Sequence, residues 1–275
     1  MVSSDLLPQL VHIAHEAGEA ILNIYNRAAP LQVDHKSDNT PLTEADLAAH
    51  TLICASLERL TPDIPVLSEE SDDDQISARR SWSQYWLVDP LDGTKEFIKR
   101  NGEFTVNIAL IENHRSVLGV VYAPVIQATY VGCVTSQTAY KYEGGKSGSR
   151  RKAIQTRPLT PFRPLALVVS RSHRDPAINP YIDKLKQLTP LTETPMGSSL
   201  KLCLIAEGMA DLHLRIGPTS EWDTAAAHAV LEAAGGQVTD LKGAPLRYNT
   251  KESLLNPDFM ASGDCDFNWQ RCFTS

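Results

Sequence analysis

The residues best placed to do chemistry are two aspartates, Asp89 and Asp92, in the run Trp86-Leu87-Val88-Asp89-Pro90-Leu91-Asp92-Gly93-Thr94. An apolar stretch that reads as a buried strand delivers Asp89 at its carboxyl end. Pro90 forbids simple continuation of that strand and stiffens the turn. The short spacing lets a tight turn aim both carboxylates, and the Leu91 carbonyl with them, into one space. Gly93 permits a positive φ or close backbone approach. Thr94 is placed to cap a following helix, whose free N–H groups favour a phosphate. Two carboxylates so close repel each other unless a cation sits between them. Mg²⁺ is the natural choice, a hard ion that takes carboxylate and carbonyl oxygens. The alternative is an acidic Asx-type turn that holds no metal.

Three further acidic segments carry the same ambiguity. Glu69 and Glu70 follow the apolar Pro65-Val66-Leu67, and a solvated acidic loop is the simpler reading, with Asp72, Asp73 and Asp74 close behind. Asp223 opens a helix after Thr219 and Ser220, where it complements the helix dipole. Asp46 follows Thr43 at the spacing of a capping box. Other chemistries fit less well. A haloacid-dehalogenase-type phosphatase needs its second Asp two residues after the first, and a Pro-Leu pair intervenes here. Gly145-Lys146-Ser147 lacks the first glycine of a phosphate-binding P-loop, Tyr140 standing in its place. His12 and His15, spaced i,i+3, read more simply as surface or structural histidines than as a metal pair. A metal-regulated binding module without turnover is the alternative from another class.

These acids need a frame. Residues 4 to 27 have helical periodicity through Leu7, Leu10, Val11, Ala14, Ala17, Ile21, Leu22 and Tyr25. A loop ending at Pro41 follows, then a second helix from Thr43 with Ala49, Ile53, Leu57 and Leu60 on one face. Pro65 to Leu67 is a short strand, and Ser71 to Arg80 an exposed loop or short helix. Strands are expected at 85–88, 104–111, 117–122, 128–134 and 138–142, at meander spacing. The glycine-rich, basic stretch 144–152 reads as a mobile loop. The second half alternates: strand 165–169, helix 178–188, helix 199–207, strand 210–216, and an alanine-rich helix 222–234 stopped by Gly235-Gly236. The change of pattern near 145–160 divides an α+β subdomain, residues 1–155, from an α/β subdomain, residues 156–275.

Composition bounds the function. The chain has 275 residues, enough for one large domain or two modest subdomains. Hydrophobic residues make up 42% and charged residues 21%, the balance of a globular protein. A net charge of −7 disfavours nonspecific binding to nucleic acid or anionic membrane. An anionic substrate would therefore need local cations. The run Met1-Val2-Ser3-Ser4-Asp5 lacks the basic start and apolar stretch expected of a signal peptide, and no apolar run approaches the ~18 residues of a membrane span. Cys54, Cys133, Cys203, Cys265 and Cys272 are odd in number and include no CxxC spacing, which speaks against zinc or a disulfide framework and for reduced thiols in the cytoplasm. Lys201, behind Gly197-Ser198-Ser199, could offer an ammonium, hydroxyls and amides to a second phosphate, or be a solvated helix lysine. Arg215, close to Asp223, is a further candidate cation, and Lys95 and Glu96 are candidates to line the pocket.

Taken in order, Thr43-Glu44-Ala45-Asp46, Leu67-Ser68-Glu69-Glu70, Asp89 to Thr94 and Trp222-Asp223-Thr224-Ala225-Ala226 resemble the inositol monophosphatase-like superfamily, over about residues 5 to 260. The runs Asp89 to Phe97 and Gly197 to Cys203 are similar to its 3′(2′),5′-bisphosphate nucleotidase branch. Ser68 departs from the glycine usual in inositol phosphatases, and Lys201 stands where that branch is usually uncharged. The resemblance implies a layered αβαβα sandwich. It implies about two or three Mg²⁺ per site, held by Glu69, Asp89, the Leu91 carbonyl, Asp92 and Asp223, and inhibition by lithium. Asp46, Glu69 and Thr94 would orient and deprotonate the attacking water. Substrate contacts would come from Glu69, Leu91, Asp92, Gly93, Thr94, Ser170, His173, Gly197, Lys201 and Asp223. The implied reaction removes the 3′-phosphate of adenosine 3′,5′-bisphosphate, giving AMP, with adenosine 3′-phosphate 5′-phosphosulfate a related substrate. An inositol 1-phosphate or other sugar phosphate monophosphatase is the alternative. The expected location is the cytoplasm, with peripheral association with the inner membrane compatible and no nucleic-acid polymer as partner.

Overall fold

Helix α1 (Leu7–Tyr25) buries Leu10, Ala14, Ala17 and Ile21 along one stripe, as its periodicity requires. We describe a computed structural model, which covers residues 4–27, 33–35, 41–144, 150–172 and 175–273. The stretch expected as a plain loop after α1 instead contributes two short strands, β1 (Val33–His35) and β2 (Pro41–Thr43), paired antiparallel. Helix α2 (Glu44–Leu60) follows with Thr43 as its N-cap and buries Ala49, Ile53 and Leu57. After β3 (Val66–Ser68), the polar run forms helix α3 (Asp73–Ala78). One residue of that run is buried: Arg79, which donates to Asn249 Oδ1.

Strand β4 (Gln84–Asp92) runs past Pro90 instead of stopping at Asp89. The proline acts on register: pairing with β5 (Thr105–Glu112) is interrupted between Asp89 and Asp92. That irregularity turns the end of a buried strand into the acidic turn. The five-residue helix α4 (Thr94–Ile98) starts there, with Gly93 rather than Thr94 at the N-cap position. Gly93 has φ +93°, a conformation strained for any side-chain-bearing residue. The meander continues through β6 (Arg115–Ala123), β7 (Ala128–Cys133) and β8 (Thr138–Glu143). It ends in β9 (Arg150–Ala153), a paired strand inside the segment expected as loop; residues 145–149 lie outside the described residues. The order β3-β4-β5-β6-β7-β8-β9 makes a seven-stranded sheet, with only β3 and β4 parallel.

A second sheet takes over from β10 (Leu165–Ser170). It includes β11 (Leu191–Met196), β12 (Leu212–Arg215), β13 (Gln237–Asp240) and β14 (Phe259–Ser262), in the order β11-β10-β12-β14-β13. The helices of this half are α5 (Asn179–Leu188), α6 (Leu200–Ala206), α7 (Glu221–Ala233) and the short α8 (Gln270–Phe273). Three cores stack the layers. One packs α1 and α2 on a face of the first sheet. The central core joins the other face to α6 and α7, and these to the second sheet. The third covers the far side of the second sheet with α5 and α8. The result is the expected αβαβα sandwich. Helix α7 lies directly on sheet backbone: a Cβ at Gly119 would meet Ala226 O at 2.1 Å, and one at Gly132 would meet Val230 Cα at 2.5 Å. Ser116 Oγ donates to Ala225 O at 2.7 Å. No helix among the described residues is long and apolar enough to cross a membrane.

Candidate active site

Four elements bring the acidic segments to one place. Parallel pairing of β3 with β4 sets Ser68 beside Val88, and Glu69 N–H donates to Val88 O at 3.0 Å, so Glu69 leaves its strand next to Asp89. Asp46 comes from the first turn of α2 and Asp223 from the first turn of α7. Asp89 and Asp46 are buried, while Glu69, Asp92 and Asp223 keep partial access to solvent.

The simple local readings of these acids are correct as far as they go. Asp46 Oδ2 accepts from Thr43 N at 2.8 Å and from Thr43 Oγ1 at 2.5 Å, completing a capping box. Asp223 Oδ2 accepts from Ser220 N at 2.9 Å, completing another. Asp89 Oδ1 accepts from Leu91 N at 3.0 Å, the contact of an Asx turn. Each contact uses one carboxylate oxygen. Asp46 Oδ1 faces Thr94 Oγ1 at 3.3 Å, and the same hydroxyl lies 3.4 Å from Leu91 O. Asp92 is anchored most heavily: its Oδ2 accepts from Ser198 Oγ at 2.7 Å, Ser199 N at 2.7 Å, Ser199 Oγ at 2.8 Å and Asn107 Nδ2 at 3.3 Å. No hydrogen bond among the described residues engages the second oxygens of Asp89, Asp92 and Asp223.

The carboxylates feel one another. Burial holds the Asp89 pKa well above the ordinary aspartate value, and the charges of Glu69, Asp92, Asp223 and Asp46 push it further. Asp223 is raised by burial, then by Asp92 and Glu69, against the Ser220 amide and Arg215. Asp46 is raised chiefly by burial, with Glu69 adding to it. Among the described residues no three acidic, histidine or cysteine side chains form an already closed metal cluster. The donor set nevertheless fits a hard divalent cation: it is all oxygen, net negative and half-anchored, and its two most perturbed acids are held up by burial first and by like charge in addition.

The cations lie beside this group. Lys201, partly buried, donates to Ser198 O. Desolvation lowers its pKa against the pull of Asp92. Arg215 donates to Pro218 O at 2.7 Å within the field of Asp223 and Asp92. Behind both, His213 is buried and desolvated to a pKa of about 3. Of the other residues singled out in the sequence, Ser170 ends β10 and Gly197 opens the turn before α6. His173 lies outside the described residues. Lys95 is exposed, and Glu96 is buried against Gly197.

Several residues of the site were not marked by the sequence in the role that they play. Ser198 and Ser199, read as hydroxyls for a phosphate, are turned onto Asp92, and Ser199 Oγ also reaches Asp223 O at 2.6 Å. Asn107 joins them, donating to Ser199 Oγ at 2.8 Å. Glu103 holds the surrounding loops: it pairs with Arg171 at 2.6 Å and 2.7 Å and accepts from Gly197 N at 2.7 Å. The polar Asn107 inside an otherwise apolar strand was the available signal.

Comparison with known proteins is consistent along the chain. The model of the inositol monophosphatase family matches residues 3–265. A 3′(2′),5′-bisphosphate nucleotidase CysQ of Escherichia coli O157:H7 is 53% identical over 257 residues, 94% of this chain and 99% of that protein. Its namesake in Salmonella typhimurium is 53% identical over 254 residues, 92% of this chain and 98% of that one. Among solved structures, CysQ from Bacteroides thetaiotaomicron, described as a bacterial member of the inositol monophosphatase family, is 42% identical with a TM-score of 0.79, covering 92% of this chain and 95% of its own.

Proposed function

Because the chain belongs to the inositol monophosphatase family, we propose that it is a phosphatase that removes the 3′-phosphate from adenosine 3′,5′-bisphosphate, giving AMP and phosphate, and that it also accepts adenosine 3′-phosphate 5′-phosphosulfate. The observation that carries this reading is the convergence of Glu69, Asp89, Asp92 and Asp223 on a Thr94–Asp46 pair. The named relatives at 53% identity supply the substrate. We assign Glu69, Asp89, the Leu91 carbonyl, Asp92 and Asp223 as the residues that would hold Mg²⁺. When bound, Mg²⁺ would neutralise charge on the phosphoryl oxygens and make water a better nucleophile.

The chain's own residues have separable tasks. The Thr94 hydroxyl donates towards Asp46 Oδ1, so its oxygen presents a lone pair to a water in the site. As that water attacks phosphorus, its proton passes to Thr94 Oγ1 while the threonine proton moves to Asp46, whose raised pKa suits it to receive one. Glu69 is the second group assigned to the water. The bond between phosphorus and the ribose oxygen breaks, and that oxygen takes up a proton from solvent water. Lys201, Arg215 and the Gly197 turn form the proposed seat of the 5′-phosphate, with Ser170 and His173 on the nucleoside side. A cytoplasmic location belongs to the same proposal.

The test is phosphate release from adenosine 3′,5′-bisphosphate, adenosine 3′-monophosphate and inositol 1-phosphate, with Mg²⁺ and with excess EDTA. Preference for the bisphosphate and loss of turnover in EDTA are expected. Full activity in EDTA would overturn the metal assignment, and preference for inositol 1-phosphate would move the protein to the sugar-phosphate branch.

A further inference from the structure

Arg171 follows the last residue of β10 and lies fork to fork with Glu103. Its Nε donates to Glu103 Oε2 at 2.6 Å and its Nη2 to Oε1 at 2.7 Å. The same Nη2 donates to Pro195 O at 2.9 Å. Glu103 Oε2 also accepts from Gly197 N at 2.7 Å. That amide belongs to the turn proposed above as part of the seat of a second phosphate, and it is already committed to a carboxylate. A second acid lies against the same turn: a Cβ at Gly197 would meet Glu96 Cγ at 2.9 Å and Glu103 Cβ at 3.0 Å. Glu96 is buried, and its charge acts on both Lys201 and Arg171.

The seat therefore rests on two acids. Neither is among the residues assigned to Mg²⁺, so bound metal would leave both charges standing. Like charges brought together in this way oppose binding, and an unpaired carboxylate here would repel a phosphate. Lys201 and Arg215 lie in the fields of Asp92 and Asp223. Arg171 is the cation bonded to Glu103. Its Nε and Nη2 are spent on Glu103 and Pro195, so its charge reaches the seat through Glu103. Resting on the proposed function, we propose that Arg171 is a positioning residue that sets the preference for a doubly phosphorylated substrate, by neutralising Glu103 and holding it on the Gly197 amide without itself bonding the substrate.

The experiment compares kcat/KM on adenosine 3′,5′-bisphosphate and on adenosine 3′-monophosphate at saturating Mg²⁺. The proteins are wild type, Arg171→Gln, Arg171→Lys and the double variant Glu103→Gln/Arg171→Gln, each with a melting curve. The Arg171 side chain is 39% exposed and that of Glu103 16%, so these changes open no cavity in the core. Arg171→Gln strands the Glu103 charge beside the seat; it should lose about tenfold on the bisphosphate, mainly in KM, and less than about threefold on the monophosphate. Added salt should shrink the deficit by screening the stranded charge. Arg171→Lys keeps the charge and should recover much of the loss. The double variant removes the stranded carboxylate while leaving an amide oxygen for Gly197 N, and it should recover too, which a lost structural prop would not. If Arg171→Gln melts far below the wild type, Arg171→Lys and the double variant carry the comparison, and loss of the preference in both overturns the proposal. So do a retained preference in a folded Arg171→Gln, equal losses on both substrates, or a double variant as poor as Arg171→Gln. These outcomes leave the proposed function standing, whereas a wild type that does not favour the bisphosphate overturns that function and this inference with it.

Discussion

Asp89, Asp92 and Asp223 each bond the protein through one carboxylate oxygen and leave the second without a hydrogen bond among the described residues. Asp92 shows it best, with four donors on Oδ2. Ser199 is the pivotal donor, because its single hydroxyl proton is shared between Asp92 Oδ2 and Asp223 O. Ser199→Ala keeps the amide donor but releases the carboxylate from its hydroxyl. Loss of such an orienting contact typically costs about 10–100-fold in metal affinity or activity. A Mg²⁺ activation curve shifted to higher concentration, with weaker Mn²⁺ binding by electron paramagnetic resonance, is expected; curves that superpose on the wild type would deny Ser199 this role. Asp223→Asn separates charge from shape. The amide oxygen can still accept from Ser220, so the cap survives while a ligand charge is lost. Turnover should nearly vanish. The raised pKa of Asp223 gives the sign for stability: a carboxyl whose folded pKa exceeds its unfolded value destabilises above the folded pKa, and that cost disappears below the unfolded value of about 3.9. In EDTA at neutral pH the variant should therefore melt higher than the wild type, the gain fading as pH falls towards about 4. A lower melting temperature would mean that the Asp223 charge is structural.

At the scale of elements, the question is what puts these residues together. The meander strands and long helices were legible because each carries its own periodicity. Strands β13 and β14 were not: they are four residues long, too short to display alternation. Strand β11 was hidden by polar residues and Pro195, tolerable because the strand lies at the sheet's edge. Strand β4 outran its expected end because a proline can sit where the ladder is already broken. The acids were legible from local spacing and family resemblance, but their partners were not. Asn107 and Ser199 are 15 and 107 residues from Asp92 in sequence, and only sheet register and layer stacking join them. Helix α7 is the decisive element, seated on the bare backbone of Gly119 and Gly132. Gly119→Ala would force the helix away from the sheet, since its Cβ would meet backbone at 2.1 Å. Overpacking of this kind costs about 1–3 kcal/mol. Because Asp223 rides on the same helix, Mg²⁺ affinity should fall together with the urea midpoint. A destabilised variant with unchanged Mg²⁺ affinity would show that the acidic site is insulated from the helix packing.

At the scale of the whole molecule, a chain of net charge −7 is proposed to bind a doubly phosphorylated anion. The long-range field opposes this, so the local cations must decide it, and Lys201 is the test. Its ammonium donates to Ser198 O, in the turn that anchors Asp92, and lies in the combined fields of Asp92, Arg215, Glu96 and Asp223. Two roles follow from that position, with different signatures. As a prop for the Ser198 turn, Lys201 would act through Asp92, and Lys201→Ala would impair every substrate equally and weaken Mg²⁺ binding. As the reader of a second phosphate, it would matter only when that phosphate is present. The proposed function requires the second role to dominate. A charge-assisted contact contributes roughly 1.5–3 kcal/mol, or about one to two decades in kcat/KM. Lys201→Ala should therefore lose about 10–100-fold on adenosine 3′,5′-bisphosphate and much less on adenosine 3′-monophosphate or inositol 1-phosphate. The loss belongs in KM if the 5′-phosphate only binds, and in kcat if its binding energy aligns the remote ester. Added salt should shrink the difference, because a partly exposed contact is screened. Equal losses on all three substrates, accompanied by a shifted Mg²⁺ activation curve, would reassign Lys201 to the turn and leave Arg215 as the cation that must account for the second phosphate.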